Sequence, residues 1–258
     1  MTYTSSASRI ADVLAHRANT AIAVFPAKRD LRSRLLSRAM RMCMNTEERS
    51  LRRLGISVIV SERTIENALV LRSLRDVDAT LLDFGGFESL LPLQLAALGL
   101  NVTVLDQRRY PFGHPNLTVR CGDLLDPGLS FGTGFDTVIS ISTIEHLGLG
   151  AYGEAQKGRD ADARGVQVLW EWVRHGGRLL ASVPIGKRAV FDDFRVYDDQ
   201  DLARVFPYAT RIRRFMKEGR EGTWREVEKR HTQDIVYSDP KAHFPVEAVA
   251  FVLCDKAR

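Results

Sequence analysis

Apolar residues recur at helical spacing up to about residue 75 and gather into short β-branched runs beyond it. Over 30–44, Leu31, Leu35, Leu36, Met40 and Met44 share one side while Arg32, Arg34, Arg38 and Arg41 lie among them, which predicts an amphipathic helix with a cationic face. Residues 56–60 (ISVIV) form one short strand-like run. Ser61, followed by Glu62 and Arg63, then reads as the cap of a second helix. Its covered face holds Ile65, Ala68 and Leu69, widened by Val70, Leu71 and Leu74.

From residue 79 the period shortens. Residues 79–84 (ATLLDF) predict a strand, Gly85-Gly86 a turn and 89–98 a helix, the first half of a βαβ unit. Further strands are expected at 101–106, 117–121, 135–142 and 178–184, with helices at 163–174 and 199–205 and final strands at 211–217 and 246–254. These runs are rich in Val, Ile and Leu without strict alternation, as in strands covered on both faces. The fold class expected is therefore α/β: a Rossmann-like, doubly wound sheet of seven mostly parallel strands, preceded by a helical N-terminal extension over 1–75.

Charge sharpens that division. The 258 residues carry a formal +5, but residues 1–75 hold 14 Lys and Arg against 6 Asp and Glu, while the rest holds 23 against 26. The basic balance belongs to the N-terminal helices and reads as a lid or docking segment, so nucleic acid is not favoured as a partner. Three scattered cysteines, Cys43, Cys121 and Cys254, form no disulfide framework and have no metal-ligand spacing. A reducing, cytoplasmic setting follows, with no signal-peptide core and no membrane span. The Arg-rich start loosely resembles a transit peptide, which is the weaker reading. The same N-terminal helices are where copies of the chain would associate into a homo-oligomer.

In an open α/β sheet a ligand sits beyond the carboxyl ends of the strands, beside the first glycine turn. Here that turn is Asp83-Phe84-Gly85-Gly86-Phe87-Glu88-Ser89. It lacks the second and third glycines that a pyrophosphate requires, which argues against NAD or FAD. A cofactor without pyrophosphate asks less of the turn. Asp106, 21 residues after Gly85, ends the second strand where a carboxylate accepts ribose hydroxyls, and Asp123 follows the third strand, placed to accept from an exocyclic amine. Together they suit an adenosine without phosphates.

At these landmarks, LLDFGG, VTVLD, CGD, FDTVISISTIEH and RHGGRLLASVP, the chain resembles the class I S-adenosylmethionine-dependent methyltransferases over 79–206, with 76–258 as the methyltransferase domain. The resemblance implies that Asp83, Gly85 and Gly86 meet the methionine portion, Asp106 the ribose and Asp123 the adenine, with Glu88 and Ser142 completing the cofactor set. The sequence departs from the family's glycine pattern at Phe87 and Ser89, which implies an altered turn. Glu88-Ser89-Leu90-Leu91-Pro92 is similar to a bacterial subgroup with ESLLP at this place, associated with glycan and natural-product pathways.

Methyl transfer to a hydroxyl needs an aligned acceptor and a base. His146, just past the fourth strand, is the candidate general base, with Glu145 as its orienter. A similar E-x-x-E-H in some O-methyltransferases holds a divalent metal. Here Ser142 replaces the first carboxylate, so a metal is not favoured even with the acid pairs Asp192-Asp193 and Asp198-Asp199 nearby. Substrate contacts are expected from Arg195, Tyr197 and Tyr152, the last in a Gly- and Asp-rich flap at 148–164. The run Arg211, Arg213, Arg214 and Lys217 reads as a solvated face rather than a phosphate clamp. The leading function is O-methylation of a hydroxyl on a saccharide or specialised metabolite, a small-molecule substrate. The alternatives are an RNA methyltransferase using Lys28 to Arg53 as its basic footprint, or a non-catalytic nucleoside-binding scaffold.

Overall fold

A computed structural model describes residues 61–75, 79–131, 134–150, 158, 160–219, 223–237 and 246–258. The amphipathic segment at 30–44, the run at 56–60, the basic footprint up to Arg53, Cys43 and Tyr152 lie outside the described residues, as does most of the flap. The compact unit that holds the sheet begins at Ser61.

The chain enters through helix α1 (Arg63–Ser73), then follows β1 (Thr80–Phe84), α2 (Leu91–Ala97), β2 (Asn101–Asp106), β3 (Leu117–Cys121) and β4 (Phe135–Ile141). Helix α3 (Ala161–Glu171), β5 (Val173–Pro184), the short pair β6 (Ala189–Val190) and β7 (Arg195–Val196), and α4 (Asp199–Val205) follow. Strands β8 (Arg211–Glu218), β9 (Thr223–Val227) and β10 (Ala248–Asp255) close the chain. The main sheet has the order β3-β2-β1-β4-β5-β10-β8-β9. Pairs among β1 to β5 are parallel, while β10 is antiparallel to both neighbours and β9 to β8. Six of the eight strands thus point one way, and their order reverses between β1 and β4.

Burial explains why these strands do not alternate in sequence. Leu82, Leu105 and Val138 pack on one face with Val166 and Leu169 of α3 and Leu202 and Val205 of α4. Their neighbours Leu81, Val104 and Ile139 pack on the other with Leu69 and Val70 of α1 and Leu91 and Leu95 of α2. Successive side chains point to opposite faces, both faces are covered, and every residue of β4 is buried. Each such aliphatic side chain contributes about 1.5–3 kcal/mol by leaving water.

Several expectations change in detail. The sheet has an eighth strand, β9, whose sequence TWREV is half exposed at the edge and too polar to signal a strand. The helix expected from 163 to 174 runs instead from Ala161 to Glu171, and β5 begins at Val173 with a register shift against β4. Gly177 permits this, since a Cβ there would lie 2.8 Å from the Asp136 carbonyl oxygen. Helix α2 starts at Leu91 rather than 89, because Gly86–Glu88 forms a 3₁₀ turn and the Ser89 hydroxyl accepts from the Leu91 amide at 3.1 Å. Ser61 does not cap α1 with its side chain: Glu62 holds the N-cap position, and the Ser61 carbonyl accepts from the Thr64 amide. Among the described residues no helix is long and apolar enough to cross a membrane.

Candidate active site

The carboxyl ends of β1, β2, β3 and β4 bring the predicted acids and turns to one edge. At the end of β1, Gly85 adopts φ 80°, a conformation costly to any side chain. A Cβ there would also penetrate the Thr143 side chain, whose own Cβ would be 2.8 Å away. The turns after β1 and β4 therefore touch directly. The two departures from the glycine pattern have local partners. The Phe87 amide donates to Asp106 Oδ2 at 3.2 Å, and the Phe87 ring lies 4.0 Å beneath the Arg108 guanidinium. The Ser89 carbonyl accepts from the Tyr110 hydroxyl at 2.9 Å.

Asp106 is 8% exposed and takes a second amide bond, from Arg108, on Oδ1. Asp123 is half-buried and accepts from the Leu125 amide at 2.9 Å. Glu88 is largely exposed and pairs with Arg108 at 2.9 Å. Asp83 differs from these acids. It is 3% exposed, its Oδ2 has no hydrogen-bond partner, and burial pushes its pKa up to about 7 against the pull of Arg63. A buried carboxyl with one oxygen unpartnered suits a cationic ligand group.

The turn after β4 is held from two sides. Ser142 has φ 42°, its amide donates to Ser182 Oγ at 3.0 Å and its hydroxyl donates to Glu66 Oε1 at 2.8 Å. Ile144–His146 then forms a 3₁₀ turn. Nδ1 of His146 contacts the Asp193 carbonyl oxygen, which can only accept, so Nδ1 carries the proton and Nε2 the basic lone pair. Burial holds the His146 pKa below its ordinary value, partly opposed by that carbonyl, so the ring is neutral at pH 7. Nε2 lies 3.9 Å from Glu145 Oε1. Glu145 is 3% exposed, its Oε2 is unpartnered, and burial raises its pKa to about 8, with Glu66 and Glu62 adding to the shift and Arg63 opposing it.

Arg195 and Tyr197 turn inward. Arg195 is 6% exposed and donates through Nη1 to the carbonyls of Glu145 and Leu147 at 3.1 and 2.8 Å. Tyr197 is 1% exposed and its hydroxyl lies 3.3 Å from Asp162 Oδ2. Asp162, fully buried at the start of α3, also pairs with Arg204 at 3.0 Å. Arg195 thus braces the His146 turn, while Tyr197 meets Asp162. Among the described residues, no three His, Cys, Asp or Glu side chains assemble as a metal-ligand set.

Sequence reasoning predicted helix α1 but assigned its polar residues no part in the site. Glu62, Arg63 and Glu66 lie at the carboxyl edge, with Glu66 fully buried and Arg63 donating to the Ile141 carbonyl at 2.9 Å. The available signal was an acid pair four residues apart on a helix whose apolar positions leave little room for an exposed face.

No curated protein matches the chain. The family described as Caenorhabditis protein of unknown function, DUF268, matches residues 119–239. Among solved structures, the N-methyltransferase NodS from Bradyrhizobium japonicum WM9, in complex with S-adenosylhomocysteine, is similar with a TM-score of 0.50 at 13% identity, over 77% of this chain and 89% of NodS. The 1,6-didemethyltoxoflavin-N1-methyltransferase of Burkholderia thailandensis gives a TM-score of 0.47 at 15% identity, over 100% of this chain and 93% of that enzyme. The methyltransferase SibL gives 0.44 at 15% identity over 75% of this chain, which spans only 55% of SibL. With helices on both faces of a mostly parallel sheet that reverses order between β1 and β4, and with the likeness to NodS, the chain has the Rossmann-like fold of the S-adenosylmethionine-dependent methyltransferases.

Proposed function

We propose that the protein is an S-adenosylmethionine-dependent methyltransferase that methylates a hydroxyl of a saccharide or specialised metabolite. The observation that carries this reading is the convergence of Asp83, the Gly85-Gly86 turn, Asp106, Asp123 and the 142–146 turn at one sheet edge, with a buried, unpartnered Asp83 oxygen among them. Asp83 would hold the ammonium of the methionine portion against the Gly85-Gly86 backbone. Asp106, kept in place by the Phe87 and Arg108 amides, would accept from the ribose hydroxyls, and Asp123 from the adenine amine. Glu88 would add a second acceptor beside the ribose. When bound, the cofactor supplies a methyl group on a cationic sulfur, open to in-line displacement.

The chain's own part is to orient and to move one proton. His146 takes the acceptor's hydroxyl proton at Nε2, its tautomer fixed by the Asp193 carbonyl. Glu145, neutral below its pKa of about 8, leaves no carboxylate charge beside the ring, and its backbone carbonyl accepts from Arg195. Arg195 and Tyr197 serve this reaction as positioning residues, through the Glu145 and Leu147 carbonyls and through Asp162.

Calorimetry with S-adenosylmethionine tests the reading. The parent binds the cofactor, Asp106→Ala weakens binding about tenfold or more, and His146→Ala keeps cofactor affinity while losing ~10²-fold in turnover. No binding at millimolar cofactor would refute the proposal.

A further inference from the structure

Beyond β5 the chain forms a small hairpin whose two faces have different neighbours. Strands β6 and β7 pair antiparallel, with Ala189 opposite Val196 and Val190 opposite Arg195. Opposed residues share a face and successive ones alternate, so Ala189, Phe191, Phe194 and Val196 lie on one side. That side packs with Ile235 and Tyr237 in an apolar cluster of its own. The other side turns Arg195 to the carbonyls of Glu145 and Leu147. The hairpin therefore stands between this cluster and the turn that carries His146.

Its tip is built to hold one orientation. The Phe191 amide donates to the Phe194 carbonyl at 2.9 Å, which leaves Asp192 and Asp193 as a two-residue loop. The rings of Phe191 and Phe194 stack with centroids 4.8 Å apart, and buried Phe194 meets Tyr237 edge to face at 6.4 Å. Such contacts are directional as well as apolar, so they orient the residues that flank the loop. Tyr237 is itself fixed. Its hydroxyl accepts from the amides of Ala248 and Glu247 at 3.1 and 3.3 Å and reaches the carbonyls of Ala248 and Ile185 at 3.0 and 3.2 Å, at the start of β10 and just past β5. The main sheet thus holds Tyr237, Tyr237 holds the ring pair, and the ring pair holds the loop whose Asp193 carbonyl contacts His146 Nδ1.

That contact selects a tautomer, because a carbonyl only accepts and the bond made by one imidazole nitrogen decides where the proton sits. Glu145 Oε1 lies on the opposite side of the ring, 3.9 Å from Nε2, and would draw the proton there if the carbonyl moved away. The surrounding charges act on the ring as a whole. Behind the effects of burial and of the carbonyl, Arg63 on α1 lowers its pKa, while Asp193 and Glu88 raise it.

We propose that Phe191, Phe194 and Tyr237 are positioning residues for His146: they clamp the Asp193 carbonyl on Nδ1 and so keep the basic lone pair on Nε2. The proposal rests on the reading of His146 as the base.

Two-bond proton–nitrogen correlation spectra of the full chain, with isotope-labelled histidine, test it near neutral pH, and His146→Gln assigns the ring signals. In the parent, Nδ1 carries the proton and Nε2 has a pyridine-like shift. In Phe194→Ala and in Phe191→Ala the Nδ1–H form loses its dominance and Nε2 moves toward a pyrrole-like shift, with S-adenosylmethionine binding unchanged. Phe191 is only half-buried, so its variant should fold, and Phe191→Tyr keeps a ring for the stack and restores the parent spectrum. Asp193→Asn removes the carboxylate, keeps the carbonyl and leaves the tautomer as it is. A parent in the Nε2–H form, an unchanged spectrum in folded Phe191→Ala, or the same tautomer change in Asp193→Asn would overturn the proposal. Cofactor binding and the turnover of His146→Ala decide the methyltransferase reading separately.

Discussion

His146 has a neutral ring because burial outweighs the carbonyl that would stabilise its cation, and that balance fixes a pH dependence. Its folded pKa lies below the ordinary 6.5, so Nε2 keeps its lone pair throughout the neutral range, as the proposed base requires. Turnover is expected to fall only as pH drops below 6.5, and an acid limb centred above 6.5 would contradict the role. Asp83 has the opposite sign of shift. Its pKa rises from 3.8 unfolded to about 7 folded, so the folded state binds the extra proton between those values and stability declines as pH rises from about 4 to about 7. Glu145 continues the same decline toward about 8. Asp83→Asn removes the Asp83 share, so its melting temperature relative to the parent should be higher at pH 8 than at pH 5, by a free energy on the order of a few kcal/mol. A variant-to-parent difference independent of pH would show that the buried carboxyl is not the cause.

Among elements, α1 and α3 do what their sequences do not announce. Helix α1 reaches both ends of the sheet: Arg63 and Glu66 meet the turn after β4, and Ser73 accepts from Arg178 near the start of β5. Ser142 holds a left-handed backbone, costing on the order of 1–3 kcal/mol, and the bonds to Glu66 and Ser182 offset that cost. Asp162, in the first turn of α3, ties that helix to Arg195 on β7 and to Arg204 on α4. Asp162→Ala leaves Arg195, 6% exposed, without its nearest carboxylate. The expected cost is about 3–5 kcal/mol in denaturant unfolding, larger than for Arg204→Ala, whose side chain is 36% exposed. These braces were illegible in sequence because Asp162, Arg195, Tyr197 and Arg204 lie on separate elements. The helices and strands themselves were legible wherever apolar runs were bounded by Gly, Pro, Asn or Asp; the exposed edge strand β9 and the two-residue strands β6 and β7 gave no such pattern.

For the whole molecule, the contact between the turns after β1 and β4 sits where the sheet reverses order, and Gly85 is its closest point. Gly85→Ala must displace Thr143 as well as strain φ, so it should lower the melting temperature markedly and weaken cofactor binding, while Gly99→Ala, with open space around it, should carry only the strain of its positive φ. Equal losses in thermal denaturation would show that the turn contact carries no weight. The sequence by itself determined the α/β class, the glycine turn and the strand-end acids Asp83, Asp106 and Asp123, because strand period, turn chemistry and position at a strand end are local properties. Tertiary structure alone decided what each charged group faces. Burial left Asp83 and Glu145 with unpartnered oxygens, turned Arg195 and Tyr197 inward, and brought Glu66 from α1 to Ser142. The run Arg211, Arg213 and Arg214 shows the same division: a period of two splits it between opposite faces, but only the packing of α1 and β5 beside β8 gathers Arg72, Arg75 and Arg178 around two of its members. Charge and burial depend on neighbours distant in the chain, which no window of sequence contains.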